Sequence, residues 1–152
     1  MDNSVGTEVS QFLHLVQERI DKGNFKDAML YCRHANECMG LHKYKEVFGK
    51  KHDFRNDPFQ RITKALRKNI SNQAYESLHA TNRLTREFMH YQEIQSNIDE
   101  RNVATVVSLI HSTFSNLFPE LKLQTLDKSP DELEISLEKF EKIFIVKGFF
   151  ET

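Results

Sequence analysis

Five glycines and three prolines are all that 152 residues offer to interrupt a helix. Between these breakers, apolar side chains return every three or four positions, the spacing that lays them along one face of an α-helix. Val9, Phe12, Leu13, Val16 and Ile20 form the first such stripe. Thr7 is the expected N-cap, Glu8 lies in the first turn, and Gly23 is the expected C-terminal stop. A second helix is expected from Asn24 to Met39, with Ala28, Leu30, Tyr31, Ala35 and Met39 inward and Gly40 ending it. Leu41, Tyr44, Val47 and Phe48 then suit a short helix halted by Gly49, followed by a polar loop.

The pattern continues through the rest of the chain. Asp57-Pro58 is a helix start, with Asp as cap and Pro in the first turn, and Phe59, Ile62, Ala65, Leu66 and Ile70 give its inward face. Tyr75, Leu78, Leu84, Phe88, Tyr91 and Ile98 predict a long helix from Asn72 towards Asp99. Val103, Val106, Val107, Ile110, Phe114 and Leu117 predict another, capped by Asn102 and stopped at Pro119. Ser129-Pro130-Asp131-Glu132 is a capping box ahead of a last helix through Leu133, Leu137, Phe140 and Phe144. The expected fold class is therefore all-α: a single-domain bundle of about five to seven helices over residues 8–150, behind a flexible stretch at 1–7.

One hairpin carries a resemblance. In GNFKDAMLYCRHA, a glycine turn at Gly23 is followed by Phe25 and by the small residues Ala28 and Ala35, while Phe12 and Leu15 precede it. Residues 9–39 thereby resemble a single tetratricopeptide-repeat hairpin, in which small alanines let the two helices approach closely. Val16 and Cys32 depart from that pattern, and no second copy follows, so a repeat array is not expected. The turn is also similar to those of microtubule-interacting and trafficking domains and of the helical dimerisation domain of telomeric repeat-binding factors. These resemblances imply protein–protein association rather than catalysis.

Charge and composition narrow the function classes. The net charge of −1 conceals one basic segment: residues 41–69 hold nine Lys or Arg against three Asp or Glu. No apolar run approaches membrane-spanning length, and MDNSVGTEVSQ has neither the basic nor the apolar region of a secretory signal. With only Cys32 and Cys38, a disulfide framework is not expected and a reducing intracellular compartment, cytoplasmic or nuclear, is.

Cys32, His34, Cys38 and His42 are the metal-ligating residue types that cluster in sequence. All four fall on one helix and its end, whereas a structural zinc site closes from separate segments, so neither metal nor cofactor is expected. No serine elbow, phosphate-cradling loop or oriented Cys–His pair points to an enzyme. Two surfaces stand out instead. In the C-terminal stretch, Phe140, Ile143, Phe144, Phe149 and Phe150 exceed what one buried stripe needs, and suit a partner protein or a second copy of the chain. In the basic segment, Lys50, Lys51, Arg55, Arg61, Lys64 and Lys68 interleave with aromatics and suit nucleic acid or an acidic peptide. The expected function is a non-catalytic protein-interaction module, an adaptor or self-associating subunit, with a nucleic-acid-associated domain as the alternative.

Overall fold

A computed structural model of the chain describes residues 3–49, 59–90 and 97–123, with the backbone alone at 89 and 90. The described residues fold into five packed α-helices and no strand: α1 (Ser4–Asp21), α2 (Phe25–Phe48), α3 (Phe59–Leu66), α4 (Asn72–His90) and α5 (Glu100–Leu117). The all-α reading holds. No helix among them is long and apolar enough to cross a membrane.

The turn between α1 and α2 forms as its residues dictate. Gly23 takes a left-handed φ of 73°, and its N–H donates to the Ile20 carbonyl at 2.9 Å. The next N–H, of Asn24, reaches back to the Arg19 carbonyl at 2.8 Å. These two bonds close α1 as a Schellman motif. Asn24 then caps α2, its side-chain oxygen accepting from the Asp27 N–H at 3.2 Å. One glycine and one asparagine thus satisfy both helix ends.

α1 begins earlier than expected. Ser4–Thr7 are helical, Val5 is buried in the core, and the Thr7 hydroxyl donates to the Asn3 carbonyl rather than capping. The helix extends because Val5 continues the apolar stripe by one further turn towards the N-terminus.

α2 departs most from expectation. Gly40 does not end it; the helix runs on to Phe48 and closes at Gly49, whose φ is 68°. A Cβ at Gly40 would sit 2.5 Å from Phe59 Cε2, so its bare backbone is where the α3 ring lies against α2. All nine residues from Cys32 to Gly40 are buried, around the whole helical circumference. α2 is the axis of the described fold, packed by α1, α3, α4 and α5. Of its expected inward residues, Ala28, Ala35 and Met39 are buried, whereas Leu30 and Tyr31 are half-buried.

The flanking helices meet this axis through complementary faces. α3 buries Phe59, Ile62, Thr63 and Leu66, while Ala65 is exposed, contrary to its expected place on the inward face. Its expected start at Asp57-Pro58 lies outside the described residues. α4, capped by Ser71, buries a stripe of Ala74, Leu78, Thr81, Asn82 and Thr85, with Tyr75, Leu84 and Phe88 only half-buried. The threonine hydroxyls are tolerable there because each bonds its own helix: Thr81 to the Ser77 carbonyl and Thr85 to the Thr81 carbonyl, both at 2.8 Å. The Asn36 amide ties α2 to α4 at the Leu78 carbonyl, 3.1 Å away. α5 starts one turn earlier than expected, at a capping box in which Asp99 and Asn102 bond each other's backbone. Asn102 is the third residue of that box rather than the cap itself.

Candidate functional site

Three chain segments converge at one end of the fold: the first turns of α1, the second half of α2, and residues 118–123 after α5. Two bonds draw them together. Lys43 Nζ donates to the Leu117 carbonyl at 3.0 Å and lies 5.4 Å from the Phe118 ring centroid. Asn3 Nδ2 donates to the Lys122 carbonyl at 3.3 Å. Between them opens a crevice of about 450 Å³ lined by Ser4, Val5, His42, Lys45, Glu46, Phe118, Glu120 and Leu121. Of the lining, Val5 and Phe118 are buried and Leu121 is half-buried, while Lys45, Glu46 and Glu120 are exposed.

Glu8 stands on α1 and meets two α2 side chains, Cys38 and His42, one turn apart on the same face. Glu8 Oε2 accepts from Cys38 Sγ at 3.2 Å and lies 2.6 Å from His42 Nε2. The three ligating atoms all fall within 4.8 Å of one another. Cys38 is fully buried, while Glu8 and His42 keep about a third and a quarter of their side-chain surfaces. Burial, and then the charge and hydrogen bond of Glu8, push the Cys38 thiol well above its ordinary value. Burial alone pushes the Cys32 thiol up to about 12. Neither sulfur is therefore a thiolate nucleophile at neutral pH.

The four residues expected to cluster as ligands divide. Cys38 and His42 point to Glu8, whereas His34 packs edge-on against Phe12 and Tyr31, with ring centroids 5.7 Å away in both cases. Cys32 is enclosed in the core. Glu8 is the residue the sequence reading missed in this role. Its place in the first helical turn gave it a sufficient explanation as a partner of the helix dipole.

α2 also buries a carboxyl against a guanidinium. Arg33 Nε donates to Glu37 Oε1 at 2.8 Å, and burial pushes the Glu37 carboxyl up to about 8 against the opposing pull of Arg33.

The basic segment is only partly gathered. Arg61, Lys64 and Lys68 are exposed on and just after α3, and Arg67 lies over the Tyr75 ring at 5.2 Å. Lys43 is held at the end of α5 instead. Phe59 is in the core, while Phe48, paired with Tyr44 at 4.6 Å, keeps 39% of its surface. Lys50, Lys51 and Arg55 lie outside the described residues, as do Phe140, Ile143, Phe144, Phe149 and Phe150. Compared with known proteins, the chain matches no family model, no curated protein and no solved structure.

Proposed function

We propose that this chain is a non-catalytic protein-interaction module that receives a segment of a partner protein in the crevice beside α2. The crevice is the observation that carries this reading. A concave site with apolar walls and a few convergent charges is where recognition concentrates. Val5, Phe118 and Leu121 suit one inserted apolar side chain, and Glu46 with Glu120 suits a flanking Lys or Arg. The protonated, enclosed thiols supply no nucleophile beside it. The hairpin's resemblance to an association module points the same way.

The test is a quantitative comparison of co-purifying proteins from the native source, using wild type, the rim reversal Glu46→Lys/Glu120→Lys, and Arg101→Glu at the opposite end of α5. The rim reversal should lose a specific partner that Arg101→Glu keeps, with unchanged thermal melting. Identical partner profiles for all three would overturn the reading.

A second reading rests on the exposed cations on and just after α3. Arg61, Lys64 and Lys68 present positive charge to solvent, and such a stripe serves a nucleic-acid backbone. It predicts binding to mixed-sequence DNA or RNA at low salt that falls steeply as salt rises. Charge reversal of Lys64 and Lys68 should weaken it. No binding at low salt removes it.

A further inference from the structure

We propose that Glu8, Cys38 and His42 form a site for a divalent ion of the zinc class, independent of the crevice's role in docking. The donor set is one carboxylate oxygen, one sulfur and one imidazole nitrogen. That mixture suits zinc and its first-row neighbours, whereas calcium and magnesium take oxygen shells. Two of the donors stand four residues apart on α2, which aims them along one face. The third comes from α1, so the set closes from two segments. This answers the objection that the sequence raised against four ligands on a single helix.

Two of the three donor distances lie within about 0.7 Å of those around a bound ion. Bonds of about 2.3 Å to sulfur and about 2.0–2.2 Å to nitrogen and oxygen place tetrahedral donors roughly 3.3–3.6 Å apart. Glu8 Oε2 now lies 3.2 Å from Cys38 Sγ and 2.6 Å from His42 Nε2. The acid–imidazole pair must open by about 0.7 Å and the acid–thiol pair by a few tenths. The third pair, Cys38 Sγ and His42 Nε2, lies within 4.8 Å and must close towards about 3.6 Å, a movement that falls to the part-exposed Glu8 and His42 side chains. Without an ion, a single carboxylate oxygen collects both the thiol S–H and the imidazole N–H. Two protons occupy the place of one cation.

Binding is a proton exchange. The Cys38 S–H bond breaks, its proton leaves to solvent, and the sulfur lone pair bonds the ion. The His42 Nε2–H bond also breaks: its proton leaves to solvent, Nδ1 carries the remaining ring proton (taken up from solvent where the neutral ring started as the Nε2–H tautomer), and the freed Nε2 lone pair bonds the ion, while Glu8 offers Oε2. Water from the crevice side, where His42 forms part of the lining, takes the fourth position. Three protein ligands and one exchangeable position describe an open site rather than a closed structural one.

The test uses the full chain, freed of metal by chelation and dialysis, with Zn²⁺ and Co²⁺ as probes. Competition against a chromogenic chelator should show one ion per chain. Co²⁺ should give a sulfur-to-cobalt charge-transfer band in the near ultraviolet and intense tetrahedral visible bands. Cys38→Ser should abolish the charge-transfer band, while Cys32→Ser should retain it. Glu8→Gln and His42→Gln should each weaken Zn²⁺ by about tenfold or more. X-ray absorption of Zn²⁺-loaded wild type, which needs no variant to fold, should count one sulfur. Zinc bound with no sulfur or with two, cobalt bound without the band, binding that survives Cys38→Ser, or an adventitious ion only would each overturn the proposal.

Discussion

Two glycines in this chain act for opposite reasons, and substitution separates them. Gly23 has open space where a Cβ would stand, but its φ of 73° is one that side chains resist. Gly23→Ala should therefore lower stability by about 1–2 kcal/mol, and Gly23→Asn by less, in urea unfolding. Gly40 has an ordinary helical backbone but no room, because the Phe59 ring lies against it. Gly40→Ala should lower stability by about 1–3 kcal/mol through overpacking. Phe59→Leu should relieve that penalty, so the double variant should be more stable than the two losses summed. Glu37 gives a prediction in pH. Its folded value, raised to about 8, exceeds the ordinary carboxylate value of about 4.3 in an unfolded chain. The folded state holds the proton more tightly, so this contribution to stability is complete below about pH 4.3 and lost as pH rises through about 8. Wild type should lose up to a few kcal/mol over that window, and the Glu37→Gln variant, which cannot titrate, should lack that component. Unfolding midpoints measured from pH 4 to 9 (about the span of the two values) check it.

Among the elements, α5 depends on a cap and α2 on its neighbours. Asp99→Ala removes half of the capping box and should cost about 1 kcal/mol, seen first as faster amide exchange in the first turns of α5. The stripes of α1 and α5 were legible in the sequence because most of their buried residues are apolar, although Ser10, Gln11 and Thr113 are buried as well, Leu15 is buried outside the expected stripe, and Leu13, Ile20 and Val107 are only half-buried. α2 was not legible. Its enclosed stretch includes Arg33, His34, Asn36 and Glu37, whose types say surface. Their partners come from elsewhere in the chain or one turn away, as with Asn36 on Leu78 and Arg33 on Glu37. Gly40 read as a stop because sequence distinguishes poorly between a glycine that ends a helix and one that admits a ring. For α4 the expected Leu78 is buried and Leu84 and Phe88 pack against the core at half-burial, but the fully buried stripe also takes in Thr81, Asn82 and Thr85. Threonines that bond their own helix bury as readily as apolar residues, and period counting scores them as polar. In the candidate site, the Cys38–His42 spacing was visible, but no local signal brings Glu8 across from α1. The crevice depends on the return of residues 118–123 to the start of α1, a placement that only the packed molecule defines.

At the scale of the molecule, α2 is the element on which four others rest, and disturbing it disturbs all of them. The amides of Cys32–Gly40 should exchange among the slowest, through global rather than local opening. If the Glu8–Cys38–His42 site is loaded, the ion joins α1 to this axis. Zinc at about 100 times its dissociation constant should then add about 2.7 kcal/mol, and a chelator should remove it, raising and lowering the melting temperature in step. Both sulfhydryls of the chain lie in the enclosed stretch of α2. The unmodified protein therefore carries its own clock for core opening. A thiol reagent added under native conditions should react only as fast as α2 comes away from its neighbours, and Cys32 and Cys38 should be tagged together. Zinc at about 100 times its dissociation constant should slow both together by about a hundredfold, because the opening that exposes either sulfur must first release the ion.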